Sequence, residues 1–318
     1  MKKPFLSVVI PLFNKENFVL ATIESVLCQT FIDFEIIVVE DCSTDLSKKI
    51  VENIISDKIR IVQHNKNKGL SASRNTGIRE SFAEFVVFLD ADDLMKSNYL
   101  EKIVSLIQKF PKANLFATNY EKVYKKNNPA KNNLEEINNY KEEKIVDFFA
   151  QNLQEPIYCQ SSLCVRKSAF LSFGMYNENI DYSEDVDFNI RANINSKLAY
   201  SYQKLVQYTM YDDNRITNKN IIGKKIPDFD TLEKLKQNDT NFKKHLDINR
   251  YMLASVFKKS GDLKTFNKLK NGINSNPKIS GLNLKQQILL QMPSFCLNII
   301  SKIKLLIQKK GIKFSSFD

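Results

Sequence analysis

Two apolar patterns alternate over the first 110 residues. Short runs rich in β-branched and aromatic residues stand at Phe5–Leu12 (FLSVVIPL), Phe34–Val39, Ile59–Val62 and Phe85–Leu89. They are apolar on both faces, as strands buried inside a parallel sheet are. Between them, Phe18–Cys28, Leu46–Ile55, Leu70–Phe82 and Tyr99–Phe110 carry helical spacing. Ser43 and Thr44 offer an N-cap to the second of these, and Pro111 stops the last. Strand and helix alternating at this interval predict right-handed βαβ units, hence an open, doubly wound, mostly parallel α/β sheet flanked by helices. Ligands of such sheets bind outside the carboxyl ends of the strands.

The pattern then changes. Residues 120–145 are polar and rich in Asn, Lys and Glu, and read as a mobile insertion or a surface helix. Mixed signals resume to Tyr208, and the chain after Lys219 reads as a mainly helical, basic appendage. The predicted organisation is a domain over 1–220, in two halves of about 1–115 and 116–220. The C-terminal basic helical region covers 221–318.

Composition narrows the function classes. The 318 residues are 43% hydrophobic and 26% charged, which is globular. None of the 8 glycines builds G-x-G-x-x-G or a P-loop, so the commonest phosphate cradles are absent. Two histidines and 5 scattered cysteines, with no C-x-x-C pair, argue against a zinc site. The cysteine usage and the N-terminus Met1-Lys2-Lys3-Pro4 lead us to expect a reduced, cytoplasmic setting.

Charge is unevenly placed. From residue 221 onward 19 Lys+Arg face 7 Asp+Glu, a balance of +12, and the preceding 220 residues balance at −1. A basic tail on a neutral body suits an anionic surface better than a nucleic acid, which would draw positive charge around the active site. No nucleic-acid partner is expected.

Strand ends carry the candidate chemistry. The first predicted strand ends in Pro11-Leu12-Phe13-Asn14, the second in Glu40-Asp41 and the fourth in Asp90-Ala91-Asp92-Asp93. Carboxylates crowded on one sheet edge require donors, water or a cation. Oxygen ligands of this kind fit Mg²⁺ or Mn²⁺. Asp41 and Asp45 also read as caps of the following helix, and Asp93 as an N-cap. Cys42 reads as a small turn residue, and His64 and His245 as surface or packing residues.

In order along the chain stand SVVIPLFN (Ser7–Asn14), VVEDCSTD (Val38–Asp45), NKGLSASRNTG (Asn67–Gly77), FLDADD (Phe88–Asp93) and SEDVDFNIR (Ser183–Arg191). This series, with a DxD at Asp90–Asp92, resembles the inverting family 2 glycosyltransferases of GT-A fold, over roughly the first two thirds of the chain; it implies a nucleotide-binding half over about 1–115 and an acceptor half over about 116–220. The resemblance implies that Pro11 and Phe13 line a nucleotide slot and that Asp41 bonds the base, typically uracil. It implies that Arg74 meets base or phosphates and Asp90 the ribose. Asp92, with Asp90 beside it, would bind the divalent ion bridging the diphosphate. Asp185 would be the base that takes the acceptor's proton, with Glu184 orienting acceptor or loop. The same pair also reads as the acidic first turn of a helix over Val186–Ala192. Cys42 stands where the family usually has glycine. Tyr211 stands about where relatives have a metal-binding histidine, leaving Asp212, Asp213 or water as the remaining ligand.

The expected donor is a UDP-sugar and the expected acceptor a glycan or a lipid-linked glycan, in surface polysaccharide or lipooligosaccharide synthesis. The alternatives are a nucleotidyltransferase, whose Gly-rich basic loop is missing, and a catalytically inactive sugar-nucleotide-binding protein. Near the C-terminus, Leu297, Ile299, Ile300, Ile303, Leu306 and Ile307 gather on one helical side, with Lys302 and Lys309 on the other. That arrangement reads either as a packing helix or as peripheral contact with the inner face of the cytoplasmic membrane through Leu297, Ile300, Ile303, Lys302 and Lys309.

Overall fold

A computed structural model describes residues 3–124, 143–211 and 221–309. Their contacts form two compact units. The first comprises Met1–Val146, Ile157–Asn179 and Arg191–Asn214, and the second Asp147–Pro156, Ile180–Ile190 and Arg215–Asp318.

The first unit is built on a nine-stranded sheet. Strands β1 (Leu6–Leu12), β2 (Phe34–Glu40), β3 (Ile59–Gln63) and β4 (Phe85–Phe88) are parallel, in the order β3-β2-β1-β4. Helices α1 (Val19–Leu27), α2 (Ser47–Glu52) and α3 (Leu70–Glu80) make the crossovers, and α4 (Tyr99–Lys109) follows the short β5 (Leu94–Met95). Every residue of β1 is buried, and β2 is buried but for one position. Such strands must lie inside a sheet covered on both faces, as their uninterrupted hydrophobicity predicts.

Past β4 the sheet changes sense. The remaining strands are β6 (Leu115–Val123), β7 (Lys144–Val146), β8 (Leu163–Arg166) and β9 (Leu198–Thr209). Strand β8 runs antiparallel between β4 and β6, while β9 lies parallel to β6 and antiparallel to β5 and β7. The polar stretch expected from residue 120 therefore begins as strand, to Val123. Its core, 125–142, lies outside the described residues.

Two local details differ from the sequence reading. Helix α2 has no side-chain N-cap from Ser43 or Thr44; Asp45 Oδ1 accepts the Ser47 N–H at 2.9 Å. Ser43 and Thr44 instead bind Asn14, whose φ of +52° turns its backbone toward them. Within α3, Gly77 is needed for close packing, because a Cβ there would stand 2.1 Å from Val9 Cγ1 in the buried β1.

The second unit is helical. It contains α5 (Phe148–Gln151); the equally short α6 (Phe170–Phe173) belongs to the first unit, and α7 (Glu184–Ile194) begins in the second. Helices α8 (Phe229–Glu233), α9 (Thr240–Ser260), α10 (Leu263–Gly272), α11 (Pro277–Ser280), α12 (Leu284–Gln291) and α13 (Ser294–Lys309) follow. The long α9 is capped by Asp239, which accepts the Phe242 N–H, and ended by Gly261 in the left-handed region. Along it Arg250, almost wholly buried, binds Asp247 at 2.9 Å, Asp230 at 3.0 Å and Glu233 at 2.7 Å. Removing Arg250 would take the closest cation from the fully buried Asp247, the kind of loss that costs about 3–5 kcal/mol.

His245 of α9 is not a surface residue. It packs edge-on against Phe148 and Phe149, with centroids 5.1 and 5.4 Å away. Leu297 is buried as well, so it belongs to the packed side of α13 and not to a membrane-facing one. Among the described side chains of α13, Phe295, Ile299, Ile300 and Ile303 are exposed. The side chains of Lys302 and Lys309 lie outside the described ones. Among the described residues, no helix is long and apolar enough to cross a membrane.

Burial pushes the His245 imidazole down to about 4 from 6.5. The unfolded chain then takes up a proton that the folded one refuses. The stability from a neutral His245 is therefore complete above about pH 6.5 and is lost as pH falls toward 4. Urea unfolding should show about 2 kcal/mol less stability at pH 5 than at pH 7.5 from this group. His245→Phe should remove that part of the slope; an unchanged slope would assign it to other groups.

Candidate active site

The carboxyl ends of β1, β2 and β4 converge on one edge, and three loops leave it. The loop after β1 is tied to the loop after β2 by a set of side-chain bonds. Asn14 Oδ1 accepts the Thr44 N–H at 2.7 Å, Ser43 Oγ accepts the Asn14 N–H at 3.2 Å, and Ser47 Oγ accepts the Lys15 N–H at 2.7 Å. Asp45 Oδ2 accepts the Glu16 N–H, and Glu16 returns the favour at Leu46 N–H. Buried Glu40 accepts the N–H groups of Cys42 and Ser43. That holds Cys42 at a φ of +61°, the conformation glycine adopts at least cost, which explains the glycine usual at this position.

Asp41 is buried, and its carboxylate is already engaged. It accepts the N–H groups of Lys68 and Gly69, both at 2.8 Å, just ahead of α3. His64 Nδ1 lies 2.7 Å from Asp41 Oδ1, and His64 Nε2 lies 2.9 Å from Thr76 Oγ1. His64 is thus no surface residue: it bridges the Asp41 carboxylate to α3. Pro11 is buried in β1, opposite Val39, while Phe13 is partly exposed beyond the strand's end.

The loop after β4 holds three acids in four residues, and each has its own compensation. Asp90 Oδ1 receives Arg74 Nη2 at 2.8 Å. Arg74 is fully buried in α3, and its guanidinium lies over the Tyr176 ring at 5.1 Å. Asn75 fixes that ring by bonding both the N–H and the carbonyl of Tyr176. Asp92 Oδ2 receives Lys15 Nζ at 2.6 Å. Asp93 is wholly buried and is not an N-cap, because the next helix starts only at Tyr99. It accepts the Ser161 hydroxyl and the Thr209 N–H, the latter at 2.8 Å. Burial, with the charges of Asp92 and Asp90 added, holds its carboxyl well above the usual carboxylate range.

The loop's backbone is fixed just as firmly. Ser161 Oγ accepts the Asp90 N–H at 3.1 Å while donating to Asp93, and Thr22 Oγ1 lies 3.0 Å from the carbonyls of both Ala91 and Asp93. Lys15, Thr22, Ser161 and the Thr209 N–H were not singled out from the sequence. Lys15 alone had a signal, since it directly follows the first strand-end motif.

Asp90 and Asp92 keep 26% and 12% of their side chains accessible, and each already accepts a cation. Two such carboxylates suit Mg²⁺ or Mn²⁺, which is commonly held by one or two protein carboxylates together with substrate phosphates. Among the described residues no three His, Cys, Asp or Glu side chains form a metal cluster. Tyr211 lies against Phe18, centroids 5.8 Å apart, and Asp212 and Asp213 fall outside the described residues.

Glu184 and Asp185 open α7 in the second unit. Ser183 ahead of them has a φ of +62°, and Asp185 Oδ1 accepts the Val186 N–H at 2.9 Å. Three acids in this first turn complement the helix dipole.

Known proteins resemble this chain in sequence and in fold. A Rickettsia felis protein named as an uncharacterized glycosyltransferase is 39% identical over 124 residues, 38% of this chain and 20% of that protein. The glycosyltransferase GlyA of Streptococcus pneumoniae is 34% identical over 116 residues, 36% of this chain and 16% of that protein. The chain thus matches about a fifth or less of the length of these relatives. Among solved structures, S. aureus TarS 1–349 in complex with UDP-GlcNAc aligns with a TM-score of 0.57 at 17% identity, covering 90% of this chain and 78% of that one. At that identity the likeness establishes the GT-A fold. The model of the family described as Glycosyl transferase family 2 matches residues 7–173, more than half of the chain, from β1 through the loop after β4 to Ser161 and beyond; the chain belongs to that family.

Proposed function

We propose that this protein transfers a hexose or an N-acetylhexosamine from a UDP-sugar to a glycan or lipid-linked acceptor, with inversion, in the synthesis of a surface polysaccharide or lipooligosaccharide. The observation that carries the reading is the loop after β4. It presents Asp90 and Asp92 at a sheet edge, each facing a basic side chain, within the region shared with family 2. The complex of TarS with UDP-GlcNAc supports the choice of donor.

In this reading the nucleotide lies across the ends of β1 and β2, with Phe13 and Pro11 beside the base. The Asp41 carboxylate, held by Lys68, Gly69 and His64, offers a remaining lone pair to the base's N–H. Asp90 takes the ribose, and Arg74 supplies a planar donor array for base or phosphates. Asp90 and Asp92 would hold Mg²⁺ or Mn²⁺, which acts as a Lewis acid for the departing diphosphate. Asp185 accepts the proton of the acceptor hydroxyl as its oxygen bonds to the anomeric carbon. The bond from that carbon to the diphosphate oxygen breaks on the opposite face and UDP leaves, while Glu184 orients the acceptor or its loop. The acceptor half, about 116–220, sets the linkage.

Two variants test these roles. Asp185→Asn keeps the shape of α7's first turn but cannot take a proton, so UDP binding should persist while turnover falls by about 100-fold or more. Near-normal turnover would move the base elsewhere, Glu184 first. Asp92→Ala should abolish UDP release from UDP-sugars in the presence of Mn²⁺ while the melting temperature stays close to wild type. Normal transfer in that variant would end the DxD assignment. Pyrophosphate release from UTP and a sugar 1-phosphate, with no UDP released from UDP-sugars, would select the nucleotidyltransferase reading. UDP-sugar binding without any turnover over a panel of acceptors would select the inactive one.

We also infer a peripheral membrane setting at the inner leaflet. Phe295, Ile299 and Ile303 recur every four residues on α13 and are exposed, with Ile300 beside them, in a region of charge +12. Each basic residue near an anionic leaflet contributes about 1 kcal/mol, a term that salt screens. The protein should sediment with anionic vesicles at low salt and be released at high salt. Ile299→Glu with Ile303→Glu should stay in the supernatant, and wild-type protein doing the same would make α13 a packing element.

A further inference from the structure

Lys15 is set on Asp92 by the fold, not by chance of a long side chain on the surface. Its backbone N–H is held by buried Ser47, and its neighbours on both sides are tied to the loop after β2. Its ammonium reaches 2.6 Å from Asp92 Oδ2, and only 16% and 12% of the two side chains are accessible. Charges so covered are screened far less than an exposed pair.

The oxygen that Lys15 occupies is on the carboxylate assigned to the divalent ion. Two cations on one carboxylate repel, and a divalent ion repels the ammonium twice as strongly as a monovalent one at the same distance. An ion reaching Asp92 must therefore displace the ammonium. The flexible four-carbon stem allows such a swing with the backbone fixed. The donor's diphosphate brings the anionic oxygens that can receive the ammonium in a charge-assisted hydrogen bond.

We propose that Lys15 is a resident counter-ion of the donor site, which occupies Asp92 until the nucleotide arrives and then moves to the diphosphate as the divalent ion takes Asp92. This rests on the reading of Asp92 as the ion's ligand. Its consequence is ordered, mutually dependent binding. Without nucleotide the ion competes with Lys15, whereas with nucleotide both cations have anions. By linkage, UDP tightens the ion and the ion tightens UDP by the same factor.

The test uses the full-length protein, Mn²⁺ followed by electron paramagnetic resonance, and UDP followed by calorimetry. Lys15→Gln should bind Mn²⁺ about tenfold tighter than wild type in the absence of UDP, ~1.4 kcal/mol. The factor by which UDP tightens Mn²⁺ should shrink by a similar amount, and Lys15→Met should repeat both shifts. Lys15→Arg, which keeps the charge, should stay close to wild type. Wild-type Mn²⁺ affinity and wild-type coupling in Lys15→Gln and Lys15→Met would overturn the proposal. Asp92→Asn separates the two levels. If it loses Mn²⁺ while the Lys15 variants match wild type, the counter-ion role alone falls. If it keeps Mn²⁺ at wild-type affinity, the metal assignment falls and takes the counter-ion with it.

Discussion

The site is organised by one electrostatic constraint: three acidic side chains within four residues at the end of β4. A buried strand end offers little water to disperse that charge, so the surrounding chain must do it. Each acid draws on a different element. Asp90 is met from α3 by Arg74, Asp92 from the loop after β1 by Lys15, and Asp93 by Ser161 and the end of β9. The compensation differs in kind as well. Asp93 is given hydrogen bonds and no cation, consistent with a carboxyl that burial pushes toward its neutral form. The two acids with cationic partners are those left partly open.

The β1 and β2 loops add rigidity to that arrangement. Lys15 can bear on Asp92 only because Asn14, Thr44, Ser43 and Ser47 lock the two loops together. Asp41 likewise acts as a junction between the end of β2, His64 and the start of α3. Much of the donor edge is thereby assembled from the protein's own bonds, which lowers the ordering cost of binding.

What could be read from the sequence follows from the range of the interactions concerned. The four parallel strands and their helices were legible because uninterrupted burial and helical spacing are local patterns. The acids at the strand ends were legible by position. Ser161 was not, since its role depends on an antiparallel strand paired to β4 from some 70 residues away. His64 was read as ordinary because nothing local links it to Asp41. Asp93 looked like a cap because it precedes a helix, yet its partners Ser161 and Thr209 come from distant segments. Leu297 fitted an interfacial stripe by periodicity alone, and only the packing of α13 shows that it faces inward.

The single hydroxyl of Ser161 ties the parallel part of the sheet to the antiparallel part. It accepts from the backbone of Asp90 and donates to Asp93, which in turn receives the backbone of Thr209. A relay of this kind has a fixed direction and a fixed length, and one residue more or fewer between Ser161 and β8 would break it. The turn leading into β8 must therefore keep its register for the donor edge to form. Recombining halves of such folds would succeed only at junctions that carry this hydroxyl and the end of β9 across together.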